Sequence, residues 1–263
     1  MCRMLAFAAT RPTDVATVLG GRTREFLALG PLNAHGWGSA LVTEPGTPPL
    51  VTREAAPIHL SEKFAQVAAE PSLAGLVHMR DATPPLAISL ANTHPFAEGE
   101  TVFAHNGSAD VDAMRELLTP QERLLVMGDT DSEMYFRLVM RGLLAGESPR
   151  DALTQAATLI QESEAAWTSL NAVLLTPQHV TAVCAFDPAA PLEVAFPGHF
   201  DLHLRAGRDF VGVVSSRWEG SPLLKLANGS TVEIDRNSLG VEIAALDRQN
   251  GTTESFAPAL AAG

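Results

Sequence analysis

A cysteine stands at position 2, between Met1 and the apolar run Met4 to Ala9. Loss of Met1 would place one thiol and one free α-amine on the same terminal residue. Cysteine attacks carbonyls as its thiolate, and a thiol with a pKa of about 8.5 is only partly ionised near neutrality. An α-amine with a pKa of about 7.7 to 8.0 is a matched proton acceptor at that pH, and N-terminal amines activate nucleophiles in this way. The run behind Cys2 reads as a short strand that ends in a turn at Thr10-Arg11-Pro12-Thr13, so the cysteine enters a buried strand. A small apolar residue opening a core strand would look the same, and the rest of the chain has to decide between the two.

Further along, Asp14 to Leu29 reads as one broken helix or two short ones, interrupted at Gly20-Gly21. Gly36 to Val42 and Leu50 to Arg53 form a predicted hairpin around Pro45-Gly46-Thr47-Pro48-Pro49. Ser61 to Glu70 is helical, and Leu73 to Met79 is a buried strand that delivers Arg80 at its end. Thr101 to Ala104 is another, delivering His105-Asn106-Gly107. Thr130-Asp131-Ser132-Glu133 has capping-box spacing ahead of an apolar helix that puts Asp131 in its first turn. Ser148-Pro149 opens a second helix, to about Ser163, that packs antiparallel to the first. From Ser169 on, short apolar runs separated by proline, glycine and asparagine turns are mostly strand. The expected fold class is α+β, two antiparallel sheets covered by helices, with one domain over 2–248 and a poorly packed tail over 249–263.

The net charge of −12 opposes phosphate backbones and anionic membranes, so neither nucleic acid nor a membrane is an expected partner. No stretch reaches the roughly 18 to 20 apolar residues of a membrane span. Two cysteines, Cys2 and Cys184, suit a reducing compartment, and a cytoplasmic location is expected. Cys184 sits inside an apolar run and reads as core. The spacing of His94 and His105 has no metal pattern, and no glycine-rich nucleotide loop occurs, so no metal and no cofactor is expected.

Four segments present polar groups at strand ends or helix starts: Cys2, His78 to Thr83, Ala104 to Gly107 and Asp129 to Glu133. A γ-glutamyl group needs such a set. It offers an α-carboxylate to an arginine fork, an α-ammonium to an aspartate, and a carbonyl to a nucleophile backed by oxyanion donors. Each piece has a plainer use. Arg80 suits a surface strand end, Asn106-Gly107 a tight turn, and Asp131 a helix-dipole partner worth about 0.3 to 1 kcal/mol.

Taken together, M-C-R at 1 to 3, H-M-R-D-A-T at 78 to 83, N-T-H-P-F at 92 to 96, A-H-N-G at 104 to 107 and D-T-D-S-E at 129 to 133 resemble the class II glutamine amidotransferases. That resemblance implies a four-layer αββα N-terminal-nucleophile hydrolase sandwich. It implies Cys2 as nucleophile with its own amine as base, Asn106 and Gly107 as oxyanion donors, Arg80 on the α-carboxylate, Thr83 as a hydroxyl contact and Asp131 on the α-ammonium. His35-Gly36-Trp37-Gly38 is similar to a segment of small stand-alone members, in which Trp37 walls the pocket or packs in the core. Asp81 and Pro84-Pro85 depart from the family's arginine motif.

No synthase domain has room behind Glu133. The expected activity is therefore hydrolysis of glutamine or a γ-glutamyl conjugate through a glutamyl thioester, as in stand-alone members such as the γ-glutamyl hydrolase of ergothioneine biosynthesis. A glutaminase subunit feeding ammonia to a separate synthase partner, and a non-catalytic binding or regulatory protein, are the alternatives. A homodimer is left open.

Overall fold

The computed structural model describes residues 2–82, 86–215, 223–246 and 254–256. Apolar side chains fill the N-terminal run, and β1 (Arg3–Thr13) forms there and carries on through the expected turn. Its pairing slips between Ala8 and Thr13, the stretch that has to accommodate Pro12, a residue with no N–H to donate. Two short helices follow, α1 (Val15–Leu19) and α2 (Thr23–Ala28), separated by Gly20 and Gly21 at positive φ. The hairpin β2 (Trp37–Val42) and β3 (Leu50–Glu54) forms as its turn residues predict. Next come α3 (Glu62–Ala69), capped by the Ser61 hydroxyl, and β4 (Ser72–Met79).

The second half of the site region is built by β5 (Phe96–Glu98), β6 (Thr101–Ala109), α4 (Val111–Glu116), α5 (Pro120–Arg123) and α6 (Asp131–Leu144). Helix α7 (Pro149–Glu162) opens on Ser148 as cap with proline in its first turn. The remainder is mainly strand: β7 (Trp167–Leu175), β8 (His179–Cys184), a short α8 (Pro191–Ala195), β9 (His203–Ala206), β10 (Phe210–Val214), β11 (Leu224–Lys225), β12 (Ser230–Asp235), β13 (Val241–Ala245) and β14 (Glu254–Phe256). The last of these lies within the predicted tail and pairs with β13. The rest of that tail is outside the described residues.

The strands form two seven-stranded sheets, ordered β11-β9-β10-β1-β4-β2-β3 and β14-β13-β12-β8-β7-β6-β5. Alternation along each strand sorts side chains between two faces. Met4, Ala6 and Ala8 of β1 and Leu76 of β4 meet Val102 and Ala104 of β6 and Val173 of β7 between the sheets. Leu5, Phe7 and Val77 turn outward onto Phe26 of α2 and Phe64 of α3. On the opposite outer face, Phe103 and Leu174 pack on Phe136 of α6 and Leu153 of α7. Each fully buried leucine or phenylalanine contributes roughly 1.5 to 3 kcal/mol. The result is the four-layer αββα sandwich with antiparallel sheets.

Register fixes where function can sit. Arg3 and Trp37 both lie opposite Met79, and Val214 lies opposite Leu5 and His203. The starts of β1, β2 and β9 and the ends of β4 and β10 therefore share one end of the first sheet.

Candidate active site

Cys2 stands one residue before the Arg3–Met79 pair, which places it alongside Arg80 at the end of β4. It is buried at 8% exposure, and its Sγ accepts the Asp81 N–H at 3.3 Å. Burial pushes the thiol above its ordinary pKa, against the opposing effects of the Asp81 N–H and the Arg80 charge. A thiol held protonated in this way needs a base beside it.

Arg80 is held by the residues ahead of β2: its N–H donates to Gly36 O at 2.8 Å, and its carbonyl accepts the His35 N–H at 3.1 Å. Its guanidinium is buried and donates from Nη1 to Ala87 O at 3.1 Å. Burial draws its pKa down, while the Cys2 sulfur and the carboxylates of Asp129, Asp131 and Asp81 act in the opposite sense. A buried arginine in the field of three carboxylates and a thiol is not the solvated strand end that its position alone allows.

The second sheet supplies Asn106 and Gly107. β6 runs on to Ala109, so this dipeptide lies inside a strand and is not a turn. Asn106 shares the inter-sheet face with Val102 and Ala104. It is fully buried, and among the described residues neither its Oδ1 nor its Nδ2 has a hydrogen-bond partner. Gly107 faces Leu170 in register, and the Leu170 N–H runs to Ala185 on the far side of β7. In an antiparallel ladder that makes Gly107–Leu170 a pair without mutual bonds, so the Gly107 N–H points off the edge of β6 away from β7. Its neighbour His105 sends its carbonyl the same way, to His78 Nε2 on the first sheet at 3.1 Å. A Cβ on Gly107 would come within 1.8 Å of Ser169 O, so glycine is required by the closeness of β7.

That His78–His105 bond ties the sheets together two residues before Arg80 and one before Asn106. The His94 ring packs on His78 at 4.1 Å between centroids, and both of its ring nitrogens are buried without partners among the described residues. Gly38 makes room for this, since a Cβ there would meet His94 O at 2.2 Å. Burial drives the His78 pKa down to about 3 and lowers those of His94 and His105, so all three are neutral at pH 7. A histidine depressed in the folded state contributes stability that is complete above its unfolded pKa near 6.5 and is lost as pH falls, because the unfolded chain binds the proton more readily. For His78 that window runs from about 6.5 down to about 3. His78→Asn is expected to flatten the fall of unfolding free energy with acid, read from urea titrations, by up to about 1.4 kcal/mol per pH unit. An unchanged slope in urea titrations between pH 6.5 and 4 would contradict it.

The loop before α6 closes the site. The Thr130 hydroxyl caps the helix by accepting the Glu133 N–H, but the Glu133 carboxylate does not complete a capping box. It accepts the N–H groups of Met127 and Gly128 at 2.8 and 2.7 Å. Asn92 binds both Ala87 O and Asp129 Oδ1 and accepts the Asp129 N–H, so the strand end at Arg80, the 87–92 loop and the helix start form one network. Asp131 is buried and accepts the Ala109 N–H at 2.7 Å, with His105 Nδ1 at 3.9 Å. His105 is pinned by Ser132 Oγ and Ser169 O, each at 2.9 Å.

The model of the family described as class II glutamine amidotransferases matches residues 1–209. The chain is a class II glutamine amidotransferase. A search of curated proteins finds no match. A glutamine amidotransferase class-II domain protein from Silicibacter pomeroyi superposes with a TM-score of 0.61 at 22% identity, over 98% of this chain and 100% of that one. A predicted glutamine amidotransferase from Pseudomonas aeruginosa gives 0.51 at 17% identity, over 90% and 98%. The glutamine phosphoribosylpyrophosphate amidotransferase of B. subtilis gives 0.62 at 14% identity, over 98% of this chain and 50% of that one. At these identities the likenesses speak for the fold.

Within this amidotransferase the structure gathers Cys2, Arg80 and Asn106 at one end of the inter-sheet space, with Gly107 at the facing strand edge and Asp131 at the neighbouring helix start. Trp37 is not part of that lining. It stands on the outer face of the first sheet, fully buried, edge-on to Phe64 at 5.3 Å, and donates from Nε1 to Glu54 Oε2 at 3.0 Å. Its register with outward-facing Met79 leaves it no path to the face that carries Cys2. Thr83 lies outside the described residues. Asn92, His94 and Asp129 also build the site. They stand inside the quoted motifs, yet only the fold reveals what each one touches. Among the described residues no group of three or more His, Cys, Asp or Glu is placed to hold a metal, and no helix is long and apolar enough to cross a membrane.

Proposed function

We propose that this chain hydrolyses the γ-glutamyl amide bond of glutamine or a γ-glutamyl conjugate through a Cys2 thioester. The observation that carries the reading is a buried thiol beside a buried arginine, facing an asparagine whose amide has no partner among the described residues. With Met1 removed, the α-amine takes the thiol proton and Sγ attacks the γ-carbonyl carbon. The oxyanion receives hydrogen bonds from Asn106 Nδ2 and the Gly107 N–H. The protonated amine then gives its proton to the departing nitrogen as the C–N bond breaks, and water attacks the thioester by the reverse use of the same base. Arg80 binds the α-carboxylate, Asp131 the α-ammonium, and Thr83 adds a hydroxyl contact.

Support comes from family membership and from the full-length likeness to the Silicibacter pomeroyi protein. The sequence resemblance to the ergothioneine-pathway γ-glutamyl hydrolase makes conjugates the first substrates to try. Service as an ammonia donor to a separate synthase is the second reading, favoured by the B. subtilis amidotransferase, of which this chain covers half.

The test is glutamate release by the purified chain from glutamine and from γ-glutamyl-p-nitroanilide. No release from either would remove the hydrolase reading and leave a binding role. In the same assay Arg80→Lys is expected to raise KM by about 10- to 100-fold, more than it lowers kcat, because the ammonium keeps the charge but loses the fork that grips a carboxylate. An unchanged KM would take Arg80 off the α-carboxylate.

A further inference from the structure

Both backbone groups of Asp81 face the nucleophile. The Asp81 N–H donates to Cys2 Sγ at 3.3 Å, and the Asp81 carbonyl lies 3.7 Å from Sγ, where it accepts the thiol proton. The opposite ends of the same two peptide units are held by His35. The Arg80 carbonyl accepts the His35 N–H at 3.1 Å, and the Ala82 N–H donates to His35 Nδ1 at 3.0 Å. We infer that His35 is a positioning residue for the nucleophile, holding the Asp81 N–H and carbonyl on Sγ from the far side of the chain. That role rests on the hydrolase reading, whose thiol it serves.

A trans peptide is planar, with its N–H and C=O directed oppositely, so fixing one end aims the other. In the 80–81 unit His35 takes the carbonyl and Cys2 the N–H, while in the 81–82 unit His35 takes the N–H and Cys2 the carbonyl. His35 itself stands on a fixed turn. Gly36 beside it has φ +141°, and its carbonyl accepts the Arg80 N–H at 2.8 Å. A Cβ on Gly36 would come within 3.0 Å of Thr93 Oγ1 and 3.1 Å of Glu54 O. Asp81 Oδ1 also lies 3.0 Å from His35 Nδ1. A ring nitrogen offers one in-plane position, a lone pair in the neutral ring or a proton in the charged one. The neutral ring receives the Ala82 N–H, the charged ring donates to the Asp81 carboxylate, and either contact keeps the ring on the 81–82 segment.

The chemistry depends on this hold. When the α-amine takes the thiol proton, the sulfur becomes an anion in a buried place, and the Asp81 N–H becomes a charge-assisted donor to it. Burial raises the thiol's pKa, and the Asp81 N–H is the largest of the effects that lower it. The Arg80 charge acts in the same sense as that N–H, and the Asp81 carboxylate opposes both. A donor keeps its aim only while its peptide plane is held. The His35 side chain ties the 81–82 unit and the His35 backbone ties the 80–81 unit. A substitution at position 35 therefore loosens the segment on Sγ without removing the backbone bond to Arg80 O.

The experiment makes two measurements on His35→Ala and His35→Asn. One is the pH midpoint of Cys2 alkylation by iodoacetamide, read by peptide mass with no substrate present. The other is the kinetics of γ-glutamyl-p-nitroanilide cleavage. His35→Ala should raise the midpoint by about 0.5 to 1 pH unit, the worth of one hydrogen bond to the sulfur. It should lower kcat about ten-fold and leave KM unchanged. In His35→Asn the side-chain oxygen takes the place of Nδ1 and accepts the Ala82 N–H, so most of both losses should be recovered. The imidazole is partly exposed, so alanine opens no core cavity. An alanine variant with the wild-type midpoint and kcat, an asparagine variant no better than alanine, or a change in KM alone overturns the role. If no γ-glutamyl compound is cleaved, the hydrolase reading falls, while the alkylation midpoints still decide whether His35 acts on Sγ.

Discussion

Cys2→Ala should lower γ-glutamyl hydrolysis by about 10⁴-fold or more, the scale seen when a covalent nucleophile is removed and only binding and oxyanion groups remain. The change should leave the fold in place. Cys2 lies at the entry of β1, and alanine fills most of its buried volume, so the expected loss is about 1 kcal/mol, the scale of a single deleted group in a core. Two mass measurements accompany the kinetics. Intact active protein should lack Met1, and acid-quenched turnover should carry one glutamyl adduct that Cys2→Ala abolishes. Retention of Met1 in active protein would remove the amine as base. Burial holds the thiol protonated, and His78, His94 and His105 are themselves buried, so the reading requires the amine as base. Undiminished turnover by Cys2→Ala would exclude the thioester altogether.

What the sequence made visible and what it hid differ in kind. The apolar runs, the Gly20-Gly21 break, the Ser61 and Ser148 caps and the hairpin turn are local signals, and the elements formed where those signals stood. The motifs around Cys2, Arg80, Asn106 and Asp131 were legible because each puts a polar group where a core has no use for one. Two readings turned on non-local information. Glu133 has the spacing of a capping box, but its carboxylate turns to the Met127 and Gly128 N–H groups, a choice set by the loop against Asn92. Trp37 stands among site motifs, and strand parity sends it to the other side of the sheet. Parity is a property of register, and register needs the partner strand. The His78–His94 stack was hidden for the same reason, since it joins the end of one strand to a separate loop.

The second large effect falls on a pair of asparagines that sit opposite each other, Asn106 on β6 and Asn171 on β7. Both are fully buried. Asn171 is satisfied: its Nδ2 donates to Phe200 O and its Oδ1 accepts the Ala185 N–H at 2.8 Å. Asn106 has no such partners among the described residues. A buried amide without bonds costs about 1 to 3 kcal/mol, and a chain keeps such a group where a ligand completes it. Asn106→Ala should therefore lower kcat by about 10²- to 10³-fold, the usual loss for one oxyanion donor, with little change in KM. The urea midpoint should stay level or rise. Asn171→Ala should do the reverse in stability, costing about 1 to 3 kcal/mol by stranding the Phe200 and Ala185 groups. Parallel kinetics and urea titrations on the two variants separate the roles. An Asn106→Ala protein that loses stability as Asn171→Ala does while turning over normally would make Asn106 a packing residue, and would move the oxyanion elsewhere.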